Sequence, residues 1–150
     1  MFMKKQDIFE TAKDVKEMVY TSERKREVLA TGNYMGVDYI IVSYGMHPCS
    51  YIRIEKDNPF YGKEYDDIPI DCHWGLTFGR VFKTDKDASV MGFPKGHWIG
   101  WDYAHCDDYS PYLGYGIKYN TTDLLYGVRT AIESLLEISN ERLSEIAKNN

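Results

Sequence analysis

The first apolar pattern along the chain is a stripe at helical spacing near the N-terminus. Apolar residues recur at intervals of four, three and four, with Lys and Glu between them, at Ile8, Ala12, Val15 and Val19. Residues three or four apart lie on one face of an α-helix. The pattern therefore predicts a helix over about residues 6–20.

The central part of the chain carries six segments with strand-like patterns. In chain order they are EVLAT, VDYIIVS, YIRIE, IPIDCHW, LTFGRVF and HWIGWDY. Some alternate apolar and polar residues, as half-buried strands do, whereas VDYIIVS has the apolar run of a sheet interior. Stretches rich in Gly, Pro, Asn and Asp separate them and predict turns or loops.

The C-terminal part of the chain predicts a second, longer helix. Asn120, Thr121 or Thr122 can cap it, and Asp123 lies in the first turn, where the helix dipole favours an anion. A buried stripe follows at Leu124, Val128, Ala131, Leu135 and Ile138, continued loosely by Leu143 and Ile146.

Two helices that bracket about six strands predict an α+β fold. The simplest arrangement is an antiparallel sheet with the N- and C-terminal helices packed on it. The sequence lacks the strand–helix–strand alternation of a doubly wound parallel sheet. It also lacks repeats and linkers, so we expect a single domain over residues 1–150.

Charge and composition narrow the classes of function. The net charge of −5 argues against general nucleic-acid binding, which relies on clustered Lys and Arg, although a local basic pocket can still hold one small anion. Three cysteines without a CxxC pair suit free thiols. The sequence shows neither a signal peptide nor an apolar span of roughly 20 residues, which predicts a cytoplasmic protein without a membrane partner. The apolar stripes of the helices suit a homo-oligomer or burial within one chain equally well.

Aromatic residues make up 15% of the chain, and thirteen of them are tyrosines. Tyrosine combines a flat face with a polar tip, which favours ligand or partner binding. A β-rich fold explains the same enrichment, because aromatic residues favour strands.

The segment HWIGWDYAHCDDY places rings beside titratable groups. In an extended strand, Trp98, Gly100 and Asp102 share one face, and the glycine leaves space above the sheet. His105 follows closely enough for its imidazole to meet Asp102, which would fix the tautomer of His105 and raise its basicity. The opposite face carries His97, Ile99, Trp101 and Tyr103.

The segment DCHWGLTF offers a partner for this pair. If it lies near HWIGWDY in the sheet, His73 can converge with Asp102 and His105, with Asp107 or Asp108 at the rim. Two histidines and a carboxylate can bind a divalent metal or act as a general acid–base pair. The alternative is an Asp–His hydrogen bond that only braces a loop. No HExxH, zinc-knuckle or Walker spacing is present.

Besides the aromatic segment, the sequence offers basic residues that could contact an anion. Lys95 next to Gly96, together with Lys63 or Arg80, can meet phosphates. If the protein is an enzyme, its predicted catalytic residues are His73, Asp102 and His105. The predicted ligand-binding residues are Trp74, Thr77, Lys95, Trp98, Gly100, Trp101, Asp102, His105, Asp107 and Asp108.

Four motifs resemble a known family. HPCSYIRI, NPFYGKEYDDI, DCHWGLTF and GHWIGWDYAHCDDYSP are similar, in this order over residues 46–112, to a family of small uncharacterised bacteriophage and prophage proteins. Members of that family carry a Cys-Gly-Tyr strand, an LYGK-x-YDD loop, HGGLT and W-x-G-x-D-x-AH. Ser50 and Trp74 stand where the family pattern has glycine. The resemblance implies a phage accessory protein that would act in the host cytoplasm.

Three functions remain open from the sequence. The first is a counter-defence protein that sequesters a small nucleotide-like signalling molecule, since many host defences signal through small nucleotides. The second is a hydrolase of a small nucleotide or phosphate substrate, with His73 and His105 as acid and base. The third is a protein inhibitor of a host defence protein. None requires a cofactor, although a divalent metal would suit the second.

Overall fold

The predicted strands form one antiparallel sheet in the computed structural model, which describes residues 6–149. Within that range there are five strands: β1 (Glu27–Tyr34), β2 (Val37–Ser43), β3 (Pro48–Ile54), β4 (Phe78–Phe82) and β5 (Gly96–Asp102). Their order across the sheet is β1-β2-β3-β5-β4, so β5 inserts between β3 and the edge strand β4. The helices are α1 (Ile8–Thr11), α2 (Asp85–Ala88) and α3 (Thr121–Lys148), with a short 3₁₀ turn at Tyr65–Asp67. The α+β class is confirmed.

Side chains on the two faces of the sheet belong to two separate cores. Alternation along β5 sends Ile99 and Trp101 into the core that contains the buried side of α3. Trp98 points to the opposite face, where it packs with Phe93 and Tyr51. The alternation predicted for HWIGWDY is therefore confirmed, and both tryptophans are core residues.

The C-terminal helix begins where its capping residues predict. The Asn120 side chain accepts a hydrogen bond from the Asp123 N–H, and the Asp123 carboxylate accepts one from the Asn120 N–H. This reciprocal pair satisfies two free donors at the helix start. The predicted stripe is buried at Leu124, Val128, Ala131 and Leu135, whereas Leu143 and Ile146 are exposed.

The predicted N-terminal helix over residues 6–20 is wrong beyond its first turn. α1 ends at Thr11, and Asp14 adopts a left-handed conformation at φ 53° that interrupts the helix. The chain then runs beside β1, where Lys13 N donates to Thr31 O and Lys16 N donates to Leu29 O, each over 2.7 Å. Backbone pairing with a sheet edge outweighs the weak local preference for helix here. Val15 and Val19, predicted as buried, are 53% and 70% exposed.

The fourth predicted strand, IPIDCHW, is also wrong, because this segment pairs with no strand of the sheet described over residues 6–149. Ile68 and Ile70 are nevertheless buried, and the Asp71 N–H donates to Ser134 Oγ on α3 over 2.8 Å. The segment therefore packs against the helix. Pro69 lacks a backbone donor, which disfavours a ladder at that position.

Over residues 6–149, no helix is long and apolar enough to cross a bilayer. α3 is long enough in residues, but one of its faces is polar and exposed.

Candidate functional site

The C-terminal end of β5 anchors the candidate site. Asp102 is the last residue of β5, and both of its carboxylate oxygens accept hydrogen bonds. Thr77 Oγ1 donates over 3.0 Å and Ala104 N donates over 3.1 Å. Thr77 is itself held beside β5, because its N–H donates to Gly100 O over 3.0 Å. The structure therefore brings together two of the residues predicted from the sequence, Thr77 and Asp102.

Asp108 lies at the centre of the polar cluster. Its side chain is only 2% exposed, and its carboxylate accepts a hydrogen bond from the His105 N–H over 2.9 Å. His73 Nε2 lies 2.9 Å from each of the two carboxylate oxygens. An ionised carboxylate only accepts hydrogen bonds, so without a metal the Nε2–H tautomer of His73 donates to it. The expectation that Asp108 lies at the rim is wrong, whereas the neighbouring Asp107 is exposed.

A tight turn positions His73. Gly75 N donates to Cys72 O over 3.1 Å, and both Trp74 and Gly75 have left-handed backbones, at φ 58° and 84°. This turn places the His73 ring parallel to the Tyr103 ring, with centroids 4.4 Å apart and planes 16° apart. His73 therefore reaches the end of β5 from a turn that lies outside the sheet.

His105 is held by a ring on one side and carboxylates on the other. The ring centroids of Trp74 and His105 lie 5.2 Å apart, and the two ring planes are parallel to within 4°. His105 Nδ1 lies 3.5 Å from an Asp102 oxygen and 3.6 Å from an Asp108 oxygen. Nδ1 is buried but makes no hydrogen bond to the described residues. The predicted convergence of His73, Asp102 and His105 is thus observed, with Asp108 between the two imidazoles.

An open cleft of about 540 Å³ lies next to His73. It runs between the Asp71–His73 segment and the first turns of α3. Three tyrosines contribute to its wall, but Tyr103 is only 3% exposed, so the accessible rings are those of Tyr119 and Tyr126. Polar groups that face it come from Asp71, Asp123 and Thr130.

Burial raises the pKa values of two tyrosines and one cysteine that line the cleft. Desolvation raises the pKa of Tyr103 to about 12, although Trp101 Nε1 donates to its hydroxyl and opposes the shift. Desolvation also raises the pKa of Tyr119, with a further contribution from the Asp108 carboxylate. The pKa of Cys72 rises to about 12 for the same reason. The thiol of Cys72 is therefore a poor nucleophile at neutral pH.

Three predicted ligand-binding residues lie in the core instead of the cleft. Trp98 and Trp101 are each 1% exposed, so neither ring offers a free face. Gly100 lies directly under Tyr51, since a Cβ at this position would come within 2.4 Å of the Tyr51 ring. The space that the glycine leaves is filled by that ring.

Lys95 lies at the opposite end of β5 from Asp102. Seven strand residues separate the two ends by roughly 20 Å at the usual rise per residue. Lys95 lines a separate cavity of about 210 Å³ together with Arg53, Lys56 and Lys83. One small ligand therefore cannot contact both Lys95 and the His–Asp cluster. The other predicted cations lie elsewhere, Lys63 near Arg142 in another cavity and Arg80 over the Phe82 ring.

The tyrosines of the cleft were not predicted from the sequence. Tyr119 precedes the α3 cap, and Tyr126 lies on the exposed side of α3, opposite the stripe that predicts the core. The available signal was the position of Tyr126, which interrupts an otherwise polar helix face at 44% exposure. Large exposed rings are a common mark of binding surfaces.

The chain was compared with known proteins. No model of a protein family matches it, no curated protein matches it and no solved structure matches it.

Proposed function

We propose that the protein binds and sequesters a small nucleotide-like signalling molecule in the cleft beside His73. The observation that carries the proposal is the meeting of a tyrosine-lined cleft with a His–Asp cluster. The volume of about 540 Å³ lies within the range of small-molecule sites, roughly 300–1,000 Å³. A nucleoside fits such a cleft in size and in chemistry.

The wall of the cleft suits a base and a ribose. Tyrosine rings stack on bases of any sequence, which is worth roughly 1–3 kcal/mol for each base. Asp71 and Asp123 can accept hydrogen bonds from ribose hydroxyls or base amino groups. The exposed ring of Trp74, 59% accessible above His105, provides one more stacking surface next to the cleft.

The biological setting of the proposal comes from the resemblance to phage proteins. An accessory protein that acts in the cytoplasm of an infected host would oppose defences that signal through small nucleotides. Sequestration needs only tight binding, so it makes no demand for a catalytic group.

A second candidate is a hydrolase of a small nucleotide or phosphate substrate. It is favoured by the position of His73, which belongs both to the wall of the cleft and to the His–Asp cluster. A proton donor and acceptor at the edge of a ligand site is what general acid–base catalysis requires. In this role His73 and His105 would exchange protons with the substrate, and Asp102 would orient His105.

One experiment separates the two candidates. The protein is incubated with a panel of linear and cyclic nucleotide signals, depletion of each from solution is measured, and the protein is then heated to release what it bound. Intact nucleotide recovered by mass spectrometry supports sequestration, and an altered nucleotide supports the hydrolase. No depletion of any nucleotide would overturn both and favour a protein target.

A matched pair of variants tests the location. Thr130→Phe places a ring into the cleft from an exposed position of α3 and should abolish depletion. Thr122→Phe makes the same change at an exposed position of the same helix that does not line the cleft. It should deplete nucleotide like the unaltered protein. Equal depletion by the two variants would remove the cleft from the proposal.

A further inference from the structure

We propose that His73, His105 and Asp108 form a binding site for a divalent transition-metal ion. One ligand atom from each residue lies within 4.8 Å of the other two. The Asp108 oxygens lie 2.9 Å from His73 Nε2, and one of them lies 3.6 Å from His105 Nδ1. In a tetrahedral zinc site, bonds of about 2.0–2.2 Å place neighbouring ligand atoms roughly 3.3–3.6 Å apart. The two distances to Asp108 therefore bracket the separation that a metal ion requires, and the ion would replace the His73 Nε2 proton that otherwise bonds Asp108.

The two imidazoles are held in place without the metal. The His73 ring stacks on Tyr103 and the His105 ring is parallel to Trp74. Rings that are fixed by packing lose little further freedom when they bind a metal. Side chains that are fixed in this way are typical of metal and ligand sites. A single hydrogen bond that braces a loop does not need them.

His105 supplies an independent observation. Its Nδ1 is buried, faces two carboxylates and makes no hydrogen bond to the described residues. Buried polar atoms nearly always have a partner, so an unpartnered one requires an explanation. A cation between Nδ1 and Asp108 would provide that partner. Asp102, also close to Nδ1, would then act as a positioning residue that adds negative charge beside the ligands.

The donor set selects the class of metal. Two imidazole nitrogens and one carboxylate suit zinc, iron(II) or nickel, whereas calcium and magnesium prefer oxygen ligands alone. Three protein ligands leave a further coordination position for water or a ligand atom. The described residues that line the cleft include no lysine or arginine, so the metal would also supply positive charge toward a phosphate. That last role rests on the proposed function, but the metal site does not.

The test uses Zn²⁺ alone, without any nucleotide. The chelator-stripped full chain should take up one Zn²⁺ in competition with a chromogenic chelator, and Co²⁺ should give the visible absorption of a low-coordinate site. His73→Ala, His105→Ala and Asp108→Asn should each weaken Zn²⁺ binding more than about 100-fold, since loss of a mere outer partner costs 10–100-fold. Wild-type affinity in the three variants would overturn the proposal, as would a wild-type chain that takes up no metal.

Two controls exclude adventitious binding by other donors. His47 lies 3.7 Å from the Cys49 thiol and is not one of the three proposed ligands, and Cys106 is an exposed thiol next to His105. His47→Ala and Cys106→Ser should bind Zn²⁺ as the unaltered protein does, and loss of binding in either would place the metal elsewhere. If a cluster variant fails to fold, histidine NMR of the unaltered chain gives the answer. Zn²⁺ should then shift the ring signals of His73 and His105 but not those of His97.

The outcomes for metal and nucleotide are separable. Zn²⁺ uptake without nucleotide depletion would uphold the metal site and contradict the proposed function. Nucleotide depletion by a chain that takes up no Zn²⁺ would do the reverse. Depletion that requires Zn²⁺ would support both and assign the metal to ligand binding.

Discussion

The imidazole of His73 lies 2.9 Å from both carboxylate oxygens of Asp108, although 35 residues separate them in the chain. This contact joins the turn after Asp71 to the loop after β5, two segments that share no strand pairing. The carboxylate is almost fully buried, and buried polar oxygens require hydrogen-bond donors. We expect this pair to stabilise the loop that carries the candidate site.

A double-mutant cycle tests the pair. His73→Ala leaves a buried carboxylate short of a donor and should cost about 1–3 kcal/mol in the free energy of unfolding. Asp108→Asn should cost a similar amount, and the double variant less than the sum, because both changes remove one interaction. The measurement is denaturant unfolding in the presence of a chelator. Asp107→Asn, at the exposed neighbour, is the control and should change little. Additive costs would show that the two groups are not coupled.

Trp74 gives a prediction that separates backbone strain from ring contacts. Its φ of 58° is costly for a bulky residue, by about 1–2 kcal/mol, and glycine adopts that conformation without cost. Trp74→Gly and Trp74→Ala both remove the ring over His105, but only glycine relieves the backbone. We expect the Gly variant to be about 1 kcal/mol more stable than the Ala variant, measured by denaturant unfolding. Nucleotide depletion should weaken equally in both. Unequal depletion would mean that the backbone, and not the ring, determines binding.

The strands and α3 could be predicted because their patterns are decided locally. The apolar run VDYIIVS favours an interior strand of a sheet, and it forms one. Asn120 and Asp123 form a capping pattern that marks the start of α3. The N-terminal helix failed because tertiary contacts act on it. Met18 N donates to Thr121 Oγ1, which in turn donates to Lys16 O, so the extended segment is fastened to the start of α3. No local pattern carries that information.

The site could be predicted in part for a similar reason. Asp102 and His105 are close in sequence, so a turn brings them together with few alternatives. The central position of Asp108 depends on the path of the following loop, which pairs Asp108 with Ile117. The cleft depends on how α3 packs beside the turn that carries His73. These relationships between distant segments appear only in the folded chain.

The cysteines should differ in reactivity. Burial raises the pKa values of Cys49 and Cys72 to about 12, whereas Cys106 is exposed. Near neutral pH, a thiol reagent should modify one cysteine of the folded protein rapidly and all three only after unfolding, because the thiolate is the reactive form. Cys106→Ser should lose the rapid phase. Intact mass should show no loss of two hydrogens, since all three thiols are free. A second rapid thiol in the folded protein would contradict the raised thiol pKa values of Cys49 and Cys72.

His97 should make the fold sensitive to mild acid. Its ring is buried, its Nδ1 accepts a hydrogen bond from the Gly62 N–H over 3.0 Å, and desolvation lowers its pKa. The unfolded chain, with an ordinary histidine pKa of about 6.5, binds the proton more readily than the folded chain. The stability contribution is therefore complete above about pH 6.5 and is lost as the pH falls from there through the lower folded pKa.

The His97→Asn variant tests this pH dependence. Asparagine retains an acceptor for the Gly62 N–H but does not titrate. Thermal melts across the mildly acidic range should show a smaller loss of stability for the variant than for the unaltered protein, although the variant starts lower because it loses ring area. NMR titration of the histidine rings should show His97 resisting protonation. Equal pH slopes in the two proteins would contradict a role for His97.

Gly100 distinguishes the observed site from the one expected over β5. The sequence predicts that a bulky residue here closes a ligand pocket and leaves the strand intact. In the structure, a Cβ would come within 2.4 Å of the Tyr51 ring and 2.8 Å of the Ser50 carbonyl oxygen, on the face opposite α3. Overpacking of this kind costs about 1–3 kcal/mol. Gly100→Ala should therefore lower the melting temperature, while the fraction that stays folded depletes nucleotide normally. Thr130→Phe should show the opposite result, because it fills the cleft and not the core. Its melting temperature should match that of the unaltered protein, and it should deplete no nucleotide. If Gly100→Ala melts normally and fails to bind, the ligand lies over β5 and the cleft beside His73 is not its site.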